Sequence, residues 1–284
     1  MNKKKWSKIG KYILLSLIAL SVLFPVIFMI SNSFMGTDEI KSYYDLSKEA
    51  LKDKYISFQF IPEYFTLKGY YSVFLESPDF LMKFWHSVLI VVPIVVGQVI
   101  VSSPAAYAFA KLKFPFKNVL FFIIIVMMLV PYQVTLVPNY IILKKMGLLG
   151  SYAAIILPGI FSAFGVFLLT QMMKSIPSEQ IEAAKLDGAN YFKIFLNIIL
   201  PQCKGGIATL IILSFVDNWN MVEQPMIFLE SSNQYPLSIF LSKINYGEIG
   251  IAFVCGVIYM MPAILLFLRG EKHLVEDGKY LGIK

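Results

Sequence analysis

Apolar positions along this chain cluster into six long stretches, at roughly 12–34, 85–107, 118–140, 152–173, 205–222 and 249–268. Each comes close to the ~20 apolar residues that carry an α-helix across a bilayer core. Their period is hard to read, because a helix that is apolar on all sides has no polar face to mark it. The third stretch is interrupted by Pro131 and Pro138 and is predicted to kink or end early. Proline is tolerated there because neighbouring helices can satisfy the freed carbonyls. The first stretch follows the basic run Met1-Asn2-Lys3-Lys4-Lys5. It is longer than a signal-peptide core and no small-residue cleavage site follows, so it is read as an uncleaved first transmembrane helix.

Polar positions between the stretches set the orientation. Lysine and arginine near span ends favour the cytoplasm. They concentrate before the first span (Lys3, Lys4, Lys5, Lys8, Lys11), after the second (Lys111, Lys113, Lys117), between the fourth and fifth (Lys174, Lys185, Lys193, Lys204) and after the sixth (Arg269, Lys272, Lys279, Lys284). Residues 35–84 carry more acids than bases and are expected outside; Lys144-Lys145 is a local exception. The prediction is an all-α membrane protein of six transmembrane helices with cytoplasmic N- and C-termini, residues 1–284 forming one transmembrane domain. The outer segment is polar at first and aromatic later, from Phe58 to Phe74. That suits either anchoring at the headgroups or docking of an external partner.

Composition agrees: 57% of residues are hydrophobic and 15% charged, against about 25% charged for soluble domains. The net charge of +7 follows the topology and forms no basic face interleaved with aromatics, so nucleic acid is not an expected partner. Cys203, Cys255, His86 and His273 have no metal-ligand spacing and no metal is expected; the cysteines read as small buried residues. No catalytic constellation and no phosphate-binding loop appears.

One cytoplasmic segment, 175–204, does not fit a membrane interior. Pro177 and the acidic Glu179 and Glu182 suit a helix N-terminus, so a short helix is predicted from about Pro177 to Leu186. Gly188 should end it, because glycine accepts the left-handed backbone of a helix C-terminus. A second helix then runs from about Ala189 to Pro201. Glu182-Ala183-Ala184, three residues, Gly188, nine residues, then Ile198-x-Leu200-Pro201 resembles the EAA signature of the membrane subunits of bacterial ABC importers.

The resemblance covers nearly the whole chain. It is nearest the second permease subunit of maltose-type carbohydrate importers (carbohydrate uptake transporter class 1), of the binding-protein-dependent transport inner-membrane component family. Pro25 with Ser31-Asn32-Ser33-Phe34, Ala105 to Ala110, Val130-Pro131 with Val137-Pro138, Phe215 to Trp219-Asn220 before Pro225, and the tail Leu274-Val275-Glu276 to Gly282-Ile283-Lys284 carry it. His86-Ser87 departs from the family's usual Asn-Ser. The resemblance implies a type I ABC importer permease fold in the bacterial plasma membrane, working by alternating access. The implied partners are a homologous second permease subunit, two ATPase subunits and an extracytoplasmic solute-binding protein. No cofactor is expected on this chain; ATP and Mg would sit on the ATPase subunits. The coupling residues it implies are Glu182, Ala183, Ala184, Asp187, Gly188, Ile198, Leu200 and Pro201.

A polar cluster at the outer end of the fifth span, Asp217 to Asn220 with Glu223 and Gln224, is the candidate substrate path, with Asn218, Trp219, Asn220 and Gln224 as its residues. An indole can stack on a sugar's apolar face while amides bind hydroxyls; the same residues also suit an interface belt. Gln98, Ser102, Ser103 and Ser162 read as helix–helix hydrogen bonds. The expected cargo is a sugar or oligosaccharide, with glycerol-phosphate compounds or polyols as alternatives. A polytopic enzyme acting on lipid is the rival from another class, and it would need an interfacial cluster of His, Asp or Glu that the sequence lacks.

Overall fold

The computed structural model describes residues 3–44, 59–243 and 249–280. Part of the polar outer stretch, the start of its aromatic half at Phe58, and Gly282-Ile283-Lys284 of the tail pattern lie outside the described residues. Every regular element among the described residues is helical. Among the described residues, four helical segments are long and apolar enough to cross a membrane, Lys8–Asn32, Asp79–Lys111, Ala153–Lys174 and Ile251–Lys272, and up to six spans result if each of two bent pairs counts as one. Helix α1 (Lys3–Asn32) has none of its most apolar window buried. Leu14, Leu15, Leu17, Leu20 and Val22 all stand exposed along it. That surface is untenable in water and ordinary in lipid.

The chain divides into two compact units. The first comprises Met1–Met82 with Phe240–Met261. Here the Ser31-Asn32-Ser33-Phe34 pattern ties the end of α1 to the outer segment. Ser31 Oγ donates to the Phe60 carbonyl at 2.6 Å, Ser33 Oγ shares a 2.8 Å hydrogen bond with the Tyr70 hydroxyl, and Phe34 stacks on Phe65 at 4.5 Å. Helix α2 (Thr37–Tyr44) is fastened by Tyr43, whose hydroxyl donates to Glu63; that bond raises the Tyr43 phenol above its ordinary range. Part of the aromatic content therefore orders the segment, while Ile61 and Tyr64 remain more than two-thirds exposed.

The second unit comprises Lys83–Ile239 with Pro262–Lys284. Helix α3 (Lys68–Tyr71) belongs to the first unit, and α4 (Pro78–Lys111) supplies most of its length to the second. The stretch expected as a single span at 118–140 is two helices, α5 (Lys117–Leu129) and α6 (Tyr132–Lys145), bent by 102°. The break falls at Val130-Pro131. Val130 is extended (φ −74°, ψ 117°), the conformation imposed on a residue before proline. Helices α7 (Ala153–Gly159) and α8 (Ala163–Lys174) follow, the latter capped by Ser162, whose Oγ accepts from the Gly165 N–H at 2.9 Å. Helix α8 packs against α5 on one side and against α12 (Lys204–Trp219) on another.

Close approach of α4 to α7 depends on glycines. Gln98 Nε2 donates to the Gly159 carbonyl at 2.8 Å. A Cβ on Gly97 would lie 2.5 Å from Ile160 Cγ1, and one on Gly159 would crowd Ile94 at 3.1 Å. Small residues at helix contacts are how membrane helices gain packing without a hydrophobic drive between them. Gly97→Leu is expected to cost about 1–3 kcal/mol through overpacking, read as a lower thermal midpoint of the detergent-solubilised chain. Gly10→Leu, where nothing lies within 4 Å, should leave the midpoint unchanged. Ser102 and Ser103 differ from the expected helix–helix hydrogen bonds: both hydroxyls are buried without a hydrogen-bond partner among the described residues. Ser102 Oγ instead lies 2.7 Å from the position a Gly165 Cβ would take, so the site holds a packing contact.

Candidate functional site

The loop between α8 and α12 is anchored at both ends. Lys111 Nζ donates to the Ile176 carbonyl where the loop begins, and Gln202 Nε2 donates to Gln180 Oε1 at 2.7 Å and to the Ile198 carbonyl at 3.0 Å near its end. Helix α9 (Ser178–Leu186) starts just after Pro177, with Glu179 in its first turn. Residues three apart share a face, and Ile181 and Ala184 turn into a core with Ala106, Tyr107, Leu169 and Met173. Glu182, Ala183, Lys185 and Leu186 are exposed.

The helix closes with two reverse hydrogen bonds. Gly188 N–H donates to the Lys185 carbonyl at 3.0 Å and Ala189 N–H to the Ala184 carbonyl at 2.9 Å, the Schellman pattern. Gly188 has φ +78° and nothing within 4 Å of a Cβ built on it. Glycine is required there for backbone conformation, not for space. Asn190 Oδ1 then accepts from the Lys193 N–H at 2.8 Å and caps α10 (Tyr191–Ile194). A π-helical turn at Phe195–Ile199 and α11 (Leu200–Gln202) complete the return. Ile194, Phe195 and Ile199 are buried in the same core, and Ile198 and Leu200 pack against it half-buried.

The eight residues singled out from sequence thus divide. Glu182, Ala183, Asp187, Gly188 and Pro201 lie on the surface; Ala184, Ile198 and Leu200 fasten the loop to the bundle. Sequence reasoning missed Leu186, 90% exposed at the tip, and the exposed rings of Tyr191 and Phe192 beside it. The Lys185 ammonium sits 4.7 Å over the Tyr191 ring. The available signal was an apolar residue immediately before the helix-ending Asp-Gly pair. Large apolar groups on a polar loop mark a surface meant to be covered.

At the other end of α12 lies a cleft of about 520 Å³, between the start of α6 and α13 (Glu223–Phe228), which packs on α6 and α7. Asn218, Asn220 and Gln224 line it, with Tyr132, Asp217 and Glu223. Asn218 Nδ2 donates to the Ser214 carbonyl at 2.7 Å and Asn220 Nδ2 to the Val216 carbonyl at 2.7 Å, so both amides are held in place by their own helix. Trp219 is not part of this wall. It is 2% exposed, stacked on Phe215 at 5.1 Å and meeting Phe84 edge-on at 5.7 Å. Cys203 and Cys255 are buried, and no group of three or more metal-ligating side chains occurs among the described residues.

The sequence model of one family, described as binding-protein-dependent transport system inner membrane component, matches residues 98–276. The arabinooligosaccharides transport system permease protein of Halalkalibacterium halodurans is 28% identical over 99% of both chains. The lactose transport system permease protein of Rhizobium radiobacter is 27% identical over 96% of both. The sn-glycerol-3-phosphate transport system permease protein of Brucella abortus is 27% identical over 68% of this chain and 70% of the relative. In three dimensions the chain matches one from a crystal structure of a bacterial ABC transporter involved in import of the acidic polysaccharide alginate, with TM-score 0.79 and 23% identity over 96% of this chain and 98% of that one.

Proposed function

The chain belongs to the binding-protein-dependent transport system inner membrane component family, and on that premise we propose a six-span permease, both termini cytoplasmic, that passes a sugar or oligosaccharide. Membrane transport, not catalysis, is the chain's activity, and its place is the membrane. An ATPase and a binding protein are the partners the family implies. Two ATPase copies carrying ATP and Mg, one homologous permease and one extracytoplasmic binding protein complete the proposed assembly. Residues 35–84 face the outside and 175–204 the cytoplasm, in agreement with the lysine distribution.

The observation that carries the reading is the construction of the loop. Its base is buried on Ile181, Ala184, Ile194 and Ile199, while Glu182, Ala183, Leu186 and Gly188 stand outward. Such a lever transmits force: a partner grips the tip and the buried base moves with the bundle. Ala183 allows close backbone approach, and Glu182 supplies a carboxylate for a partner arginine. Relatives named for arabinooligosaccharides and lactose support a sugar cargo; the glycerol-phosphate relative supports the alternative within the same class. The alginate importer supports the fold only.

The complete assembly reconstituted in proteoliposomes tests the proposal. Omitting ATP, or replacing it with a non-hydrolysable analogue, should lower binding-protein-dependent sugar uptake at least about tenfold, the change produced by ~1.4 kcal/mol of lost drive. Uptake unaffected by nucleotide would overturn it.

A further inference from the structure

The polar cleft has a sign of charge that its position as a candidate path does not require. Asp217 and Glu223 are both exposed and both line it. Its remaining polar walls are uncharged: Asn218, Asn220, Gln224 and Tyr132. No lysine, arginine or histidine lines it among the described residues. Gln133 Nε2, 3.5 Å from Glu223 Oε2, brings a dipole and no charge.

We infer that this cleft admits uncharged polyhydroxylated solutes and excludes anions, so that within the carbohydrate reading proposed above the cargo is a neutral sugar and not a phosphate or uronate. The chemistry follows from the donor and acceptor inventory. Amides and a phenol offer donors and acceptors in the mixture that sugar hydroxyls need. Carboxylates accept hydrogen bonds from hydroxyl groups strongly, since a charged acceptor roughly doubles the bond. Toward a phosphate or carboxylate the same two groups offer only repulsion, and a cleft lined by one sign of charge focuses that field. A site built for an anion would place arginine or lysine where Asp217 and Glu223 stand.

Local charge and cargo are tested separately in the reconstituted importer. Asn220→Cys places a thiol on the cleft wall; the unsubstituted chain, whose own cysteines are buried, gives the background. The thiol is modified with a methanethiosulfonate bearing an ammonium and with one bearing a sulfonate, each rate being normalised to that of a small thiol in solution. The cationic reagent should be favoured by about tenfold at low salt, the lower end of electrostatic focusing. That preference should collapse toward unity when Asp217→Asn and Glu223→Gln are added. No preference, or one that survives the double substitution, overturns the inference. In the second arm, ATP-dependent uptake is measured for lactose, an arabino-oligosaccharide and sn-glycerol 3-phosphate. Transport of the phosphate at a rate matching the better neutral solute also overturns it. A retained charge preference without ATP-dependent uptake of either class defeats the carbohydrate reading and leaves the charge of the cleft standing.

Discussion

Gly188→Val is expected to lower ATP-dependent uptake at least about tenfold while the chain still reaches the membrane in normal amount. The Gly188 backbone is at φ +78°, where an L-residue pays roughly 1–2 kcal/mol and a β-branched one is a genuine outlier. The strain is relieved by undoing the Schellman closure at Lys185 and Ala184, which swings the tip away from its partner. Because a Cβ would meet nothing within 4 Å, the defect is conformational. Asparagine tolerates the left-handed region, so Gly188→Asn should keep most of the uptake. Glu182→Lys reverses an exposed charge without touching the backbone and should match the loss seen with valine. Measured beside them, co-purification of the ATPase separates the outcomes: it should fall for Glu182→Lys and Gly188→Val and persist for Gly188→Asn. Full uptake in both of the severe variants would show that the loop does not couple.

Much of that loop was legible in the sequence, because its chemistry is local. A proline, an acidic first turn and a glycine set the limits of α9 within a residue or two, and the structure has Ser178–Leu186 closed at Gly188. The apolar stretches were equally legible as helices. What the sequence withheld was angular. Pro131 announces an interruption, but the 102° between α5 and α6, and the 73° between Tyr191–Gln202 and Lys204–Trp219, depend on which helices receive the two arms. Leu186 was overlooked for a different reason: it stands on the outward face, three and four residues after the exposed Ala183 and Glu182, where a single apolar side chain adds nothing to the periodic pattern that marks a helix.

Trp219 shows the same limit at the cleft, and its substitution is the sharpest test of how the cleft is built. An indole flanked by asparagines is equally good as a platform for a sugar ring and as a wedge between aromatic neighbours. The structure places it against Phe215 and Phe84. Trp219→Ala should therefore act on stability. Two aromatic contacts are lost, at about 0.5–1.5 kcal/mol each, and a cavity is left that its neighbours cannot fully close. The expected result is a lower thermal midpoint and reduced uptake, with Trp219→Phe restoring most of both by keeping the ring contacts. Asn218→Ala should behave in the opposite way, since its side chain is tied among the described residues only to the Ser214 carbonyl of its own helix. Its midpoint should shift little while the apparent Michaelis constant for transport rises several-fold, about 1 kcal/mol for one lost polar contact. If Trp219→Ala instead kept a wild-type midpoint and lost uptake alone, the indole would be a contact for the passing solute, and the cleft would extend past the aromatic stack into the bundle.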